Sequence, residues 1–165
     1  MYWVSSRIFW VPMYIFLIVI LFRLYKKEAV LMILFAVLLI VLSDQISSSI
    51  IKNVFQRARP CHNIYIKNLV HLVSGCGGAY GFVSSHAANT FAFATYLSFV
   101  AYNKIKGLAY FMFAWALLVS YSRIYVGAHY PLDVFCGALL GVGLAYIMAK
   151  VYFYLRNKIA IIKNE

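Results

Sequence analysis

The chain has 165 residues, of which 65% are hydrophobic and 12% charged, with a mean hydropathy of +0.84. A water-soluble domain is roughly half apolar and about a quarter charged, so this composition argues against one. The net charge of +11 comes from 15 Lys and Arg against 4 Asp and Glu. Nucleic acid is an unsuitable partner for that charge, because the 18% aromatic content lies along apolar runs and not on a soluble basic face.

In chain order, residues 1–10 are mixed in character and lead to Pro12, which predicts an N-terminal interfacial segment feeding a first span. Apolar stretches at about 8–24, 29–50, 86–102, 107–122 and 131–155 then predict an all-α polytopic transmembrane helix bundle of about five spans, folding as one domain over residues 1–165. The basic cluster follows the first apolar run, so that run does not read as a cleaved signal. With alternating spans, Arg23, Lys26, Lys27, Lys104, Lys106, Lys150, Arg156, Lys158 and Lys163 share one side. Arg7, Lys52, Arg57, Arg59, Lys67 and Arg123 share the other. The positive-inside tendency places the C-terminal tail in the cytoplasm and the loop from about 52 to 85 outside.

Cys61 and Cys76 lie in that outer loop and Cys136 in the last span. In an oxidising compartment the first two are candidates for a disulfide. The alternative is a metal site from Cys61, His62, His71 and Cys76, whose spacing matches no familiar zinc pattern. His62 and His71 otherwise read as structural groups, and Arg57 and Lys67 as solvated or headgroup-facing charges. Asp44 is expected to pair with a basic group or to cap contacts among Ser43, Gln45 and Ser47.

Polar residues are costly near a bilayer, and three groups of them fall on the same predicted face. The first, KNVFQRARP over residues 52–60, carries Lys52 and Arg59 two helical turns apart, so a continued helix would project both toward a common anion before Pro60 ends it. The second is GFVSSHAAN over residues 81–89. There Ser84 or Ser85 is a natural N-cap, the helix start suits a phosphate, and His86 sits in the first turn, placed to exchange a proton with a bound group. The third, SRIYVGAHYPLD over residues 122–133, offers the planar fork of Arg123 and, from the start of the fifth helix, an Asp133 able to reach back to His129. A carboxylate on one ring nitrogen leaves the other free to attack.

Lys, six residues, Arg-Pro, then Ser-x-His, then Ser-Arg, five residues, His, three residues, Asp: in this order, each at a membrane boundary, the set resembles the phosphatidic acid phosphatase type 2 superfamily. The motifs run from Lys52 to Asp133 and the span layout extends the likeness over nearly the whole chain. The resemblance implies that His129 is the nucleophile forming a phosphohistidine, that Asp133 orients it and that His86 protonates the leaving oxygen. It implies that Lys52, Arg59, Arg123 and Ser84, with Ser85 beside it, hold the phosphoryl oxygens, and that neither metal nor cofactor is needed. One departure stands out: the family's Pro-Ser-Gly-His is here Val83-Ser84-Ser85-His86.

The expected activity is hydrolysis of a phosphomonoester or pyrophosphate on a lipid head, with phospholipid, isoprenoid diphosphate or lipid A as substrate. The compact outer loop favours bulky envelope lipids such as undecaprenyl diphosphate or lipid A. The implied location is a bacterial inner membrane, with the site facing the periplasm or exterior. The alternatives are a lipid phosphotransferase of the same fold and an anionic-lipid transporter or binding protein.

Overall fold

The computed structural model describes residues 1–6, 8–70 and 75–162, the side chains at 160 and 162 apart. Arg7, His71 and Lys163 lie outside the described residues. A short helix α1 (Tyr2–Ser5) precedes a 3-10 turn (Ile8–Trp10) that runs into α2 (Val11–Tyr25), with Pro12 at a helix start where its missing N–H costs nothing. Then come α3 (Glu28–Gln45), a π-helical stretch (Ile46–Ile51), α4 (Lys52–Phe55), a 3-10 turn (Pro60–His62), α5 (Ser85–Val100), α6 (Leu108–Tyr125) and α7 (Pro131–Ile162).

The protein is a multi-pass membrane helix bundle. Among the described residues, four segments are long and apolar enough to cross a membrane: Ile8–Tyr25, Glu28–Phe55, Leu108–Tyr125 and Pro131–Ile159. The stretch expected to be the third span is α5, which at 16 residues falls short of that length. Its role is central: ten of its sixteen residues are buried, and it packs on α3, α6 and α7. Small residues make this possible, since Ala87, Ala88, Ala92 and Ala94 let neighbouring backbones approach. The outer helices instead expose apolar side chains such as Ile15, Phe16, Leu34, Leu117 and Ile147, which lipid would cover.

Contacts at the two ends fix an alternating arrangement. At one end Lys104 Nζ donates to the Leu24 carbonyl at 2.6 Å and lies over the Tyr25 ring, while Glu28 takes the Tyr152 hydroxyl at 2.9 Å and pairs with Arg156. The opposite end collects Ser5, Lys52, Arg59, Ser84, Arg123 and His129.

The second span departs from a plain helix where it nears that opposite end. Ser47 and Ser48 hydroxyls donate to the Asp44 carbonyl at 3.2 and 2.6 Å. Such back-bonding competes with the ordinary ladder, and the chain widens into the π-helical stretch that follows. The helix then stops at Phe55, with Gln56 in the left-handed region at φ 43°. A continuous helix from Lys52 to Pro60 is therefore corrected: Arg59 stands on extended backbone, beside an isolated bridge between Ala58 and Tyr80.

Candidate active site

Each element presents its polar group through local capping chemistry. Pro131 opens α7, and Asp133 in its first turn accepts from the Tyr130 backbone N–H at 3.0 Å through Oδ2, the reciprocal half of a capping box. That bond holds the carboxylate toward the preceding turn, where His129 Nδ1 lies 3.7 Å from the same oxygen. On α5, Ser84 is the N-cap and its Oγ accepts from the Ala87 N–H at 3.4 Å. The Ser84 N–H donates to the Asp133 carbonyl at 2.9 Å and so ties the two helix starts together.

The outer segment supplies the cations. Arg59 Nη1 lies 3.5 Å from His129 Nε2 and 3.4 Å from the Ala128 carbonyl, and its Nε donates to the Tyr80 carbonyl at 3.2 Å. The imidazole thus has a carboxylate toward Nδ1 and a guanidinium beside Nε2. Lys52 Nζ donates to Ser85 Oγ at 2.9 Å across the start of α5. Arg123 donates through Nη1 to Ser5 Oγ, tying α6 to α1. His86 faces a cavity from the first turn of α5.

His129 is 3% exposed. Burial pushes its pKa below the ordinary 6.5; Asp133 pulls it up, and Arg59 and Arg123 push it further down. At 3.7 Å the carboxylate is beyond hydrogen-bond range, and Nδ1 has no hydrogen-bond partner among the described residues, so the upward pull does not offset burial. Burial thus favours the neutral imidazole.

Arg57, expected as a solvated or headgroup-facing charge, belongs to the site. Its Nη1 donates to Asp133 Oδ1 at 2.9 Å, and its guanidinium lies 4.3 Å over the Tyr130 ring. A signal was present: in extended chain, residues two apart face one side, so Arg-Ala-Arg at 57–59 can present two cations together. Tyr130, given no role in sequence, also accepts at its hydroxyl from Asn63 Nδ2 at 3.0 Å. Lys67 is exposed.

Cys61 and Cys76 are joined as a disulfide, with Cα atoms 6.0 Å apart. His62 lies beside them with its Nε2 3.4 Å from the Gly77 carbonyl. Pairing of the sulfurs removes the thiolates a metal would need, and His71 lies outside the described residues. Asp44 meets one expectation in part: its carbonyl accepts from the Ser47 hydroxyl at 3.2 Å, while its side-chain Oδ1 accepts from Asn89 Nδ2 at 3.0 Å.

Comparison with known proteins places this geometry. Residues 30–157 match the family model of the PAP2 superfamily. The chain is 35% identical over 161 residues to a lipid A 4'-phosphatase of Porphyromonas gingivalis, covering 95% of this chain and 66% of that protein. It is 36% identical over 140 residues to a lipid A 4'-phosphatase of Bacteroides thetaiotaomicron, covering 83% and 61%. The chain thus spans slightly under two thirds of the length of these curated relatives. The crystal structure of Aquifex aeolicus LpxE superposes with a TM-score of 0.62 at 31% identity, covering 88% of this chain and 79% of that one. The chain belongs to the PAP2 superfamily.

Proposed function

We propose that the protein is a lipid phosphatase that removes a phosphate from the head of an envelope lipid, by way of a phosphohistidine on His129. The observation that carries this reading is the line Asp133, His129, Arg59: carboxylate at one ring nitrogen, guanidinium 3.5 Å from the other. Such a line aims Nε2 of a neutral imidazole at the phosphorus of a phosphoryl group whose oxygens the guanidinium holds.

In the first step Nε2 attacks phosphorus while the bond from phosphorus to the lipid oxygen breaks, and His86 gives that oxygen its proton. Water then attacks the phosphohistidine and gives a proton to His86. The nitrogen–phosphorus bond breaks, and inorganic phosphate leaves. Phosphoryl transfer needs positioning and charge stabilisation above all, and Lys52, Arg59, Arg123 and the α5 start supply both without calling on a metal. The relatives named lipid A 4'-phosphatase favour a lipid A-type substrate. The basic residues near Glu28 and Arg156 favour a bacterial inner membrane orientation with that end in the cytoplasm and the site outside.

The test is a phosphate-release panel in detergent with a chelator present, using lipid A, undecaprenyl diphosphate, phosphatidylglycerophosphate and phosphatidic acid. Wild type should release free phosphate, and a quench with labelled substrate should trap an acid-labile phosphoprotein that His129→Ala lacks. Unaltered release by His129→Ala refutes the nucleophile. Transfer of the label to an added alcohol in place of water identifies a phosphotransferase instead.

A further inference from the structure

Beside the phosphate-binding end, the bundle holds a cavity of about 570 Å³ between α2, α3, α5 and α6. Its walls are mainly apolar, with Leu17, Leu21, Ile40, Phe93 and Trp115 among them. His86 and Ser5 line it at the site's end, and Ser5 is the partner of Arg123, so the cavity opens where the phosphate would sit. Asn89, one helical turn beyond His86, lines the same wall, and Asp44 faces it from α3.

Asp44 is an unusual wall for such a cavity. A carboxylate can accept about four hydrogen bonds, yet here its side chain receives one, from Asn89 Nδ2 to Oδ1 at 3.0 Å. Among the described residues no Lys, Arg or His lies within ion-pair distance of it. Asp44 is half-buried on this wall, beside Gln45, His86 and Asn89. Oδ2 therefore leaves unused acceptor capacity on a cavity wall one helix away from the phosphate site.

We propose that Asp44 is a second recognition point, accepting a hydrogen bond from a hydroxyl or amide N–H of the lipid head next to its phosphate. Asn89 is the positioning residue that aims it. A phosphorylated amino-sugar lipid carries such donors, whereas an isoprenoid phosphate has none along its chain, so the site selects the former. This inference rests on the lipid phosphatase reading and assigns its substrate class. If Asp44 merely tied α3 to α5, all substrates would suffer equally on its loss.

The experiment measures kcat/KM for phosphate release from an acylated glucosamine 4-phosphate lipid and from undecaprenyl diphosphate, with the full chain in one detergent. Asp44→Asn keeps the shape and the bond from Asn89 but turns a donor toward the ligand. It should lower kcat/KM for the amino-sugar lipid by about tenfold or more, chiefly through KM, with the isoprenoid within about twofold. Asn89→Ala should act in the same direction, more weakly. The ratio of the two values in one preparation is independent of the folded fraction, so poor folding does not obscure it. An unchanged ratio overturns the proposal, as does a wild type that turns over undecaprenyl diphosphate alone, and in both cases the phosphatase reading survives. If the wild type accepts only the amino-sugar lipid, Asp44→Asn must weaken it at unchanged affinity for inorganic phosphate, and parallel loss of both overturns the proposal. Release from neither lipid overturns the proposal, and the phosphatase reading falls only if phosphatidylglycerophosphate and phosphatidic acid also yield no phosphate.

Discussion

Gly141→Ala is expected to disable the proposed phosphatase activity from the contact between α5 and α7, at a position that carries no side chain of its own. A Cβ at Gly141 would lie 2.2 Å from the Ala88 carbonyl oxygen, 2.9 Å from the Ala92 nitrogen and 3.0 Å from the Ala88 carbonyl carbon. All three are backbone atoms, so no side-chain rotation relieves the clash. Ordinary contact begins at 3.4 Å, so α7 must withdraw from α5 by about 1 Å, because packed interiors have no slack to absorb it. One helix carries Ser84, Ser85 and His86 at its start, while the other carries Asp133 and follows directly on His129. Separation of that size between reacting groups costs about 100-fold in rate, and overpacking costs about 1–3 kcal/mol in stability. The assay is phosphate release together with thermal unfolding in the same detergent, and Gly143→Ala is the control, since a Cβ there meets nothing within 4 Å. Gly143→Ala should match wild type or gain slightly from helix propensity. A Gly141→Ala enzyme within twofold of wild type and equally stable refutes the reasoning, as does equal damage from both substitutions.

Arg57→Ala should lower kcat by about tenfold to a hundredfold with little change in KM, because it frees the carboxylate that orients His129; Arg57→Lys should recover part of the loss, and Lys67→Ala should have no effect. Equal losses in Arg57→Ala and Lys67→Ala would remove Arg57 from that role. His129, whose pKa burial lowers, should titrate below 6.5 in a carbon-13 histidine NMR titration without phosphate, with the signal assigned by His129→Asn. The neutral His129 that attack requires is then fully present at pH 7 and is lost as pH drops through that lowered value, and a midpoint above 6.5 contradicts the assignment. Replacing Cys61 and Cys76 together by Ser should destabilise the outer segment by about 3 kcal/mol, the loop-closure value for a separation of 15 residues, and raise KM as Arg59 loses its anchorage; unchanged unfolding in detergent would refute it.

The site was more legible than the architecture around it. Ser84 and Asp133 declare themselves because capping is local: a hydroxyl before a helix, and a carboxylate three residues after the cap. The pairing of His129 with Arg59 follows from motif order and from span alternation, which puts distant segments at one end. The break at Gln56 left no such mark, since no Gly or Pro precedes it and the left-handed residue is held by its own N–H on the Lys52 carbonyl and its side chain on the Asn53 carbonyl. Arg57 was hidden for the same reason: only after that break does its side chain share a side with Arg59. The bond between Asp44 and Asn89 joins two helices, and no local pattern encodes it. The shortness of α5 was visible in length, but its central position depends on Gly137 and Gly141 on another helix.

A helix of 16 residues rises about 24 Å, roughly 6 Å less than the oily interior of a typical membrane. With that shortfall at its start, where Ser84, Ser85 and His86 stand, the proposed phosphate pocket would lie below a rim formed by longer neighbours. A lipid docking there, as the proposed function requires, would lower its head below its companions in the leaflet and shed hydration as it descends. Coulomb forces grow as the surroundings become less polarisable, so a few cations hold the anion more tightly at that depth than at the water boundary.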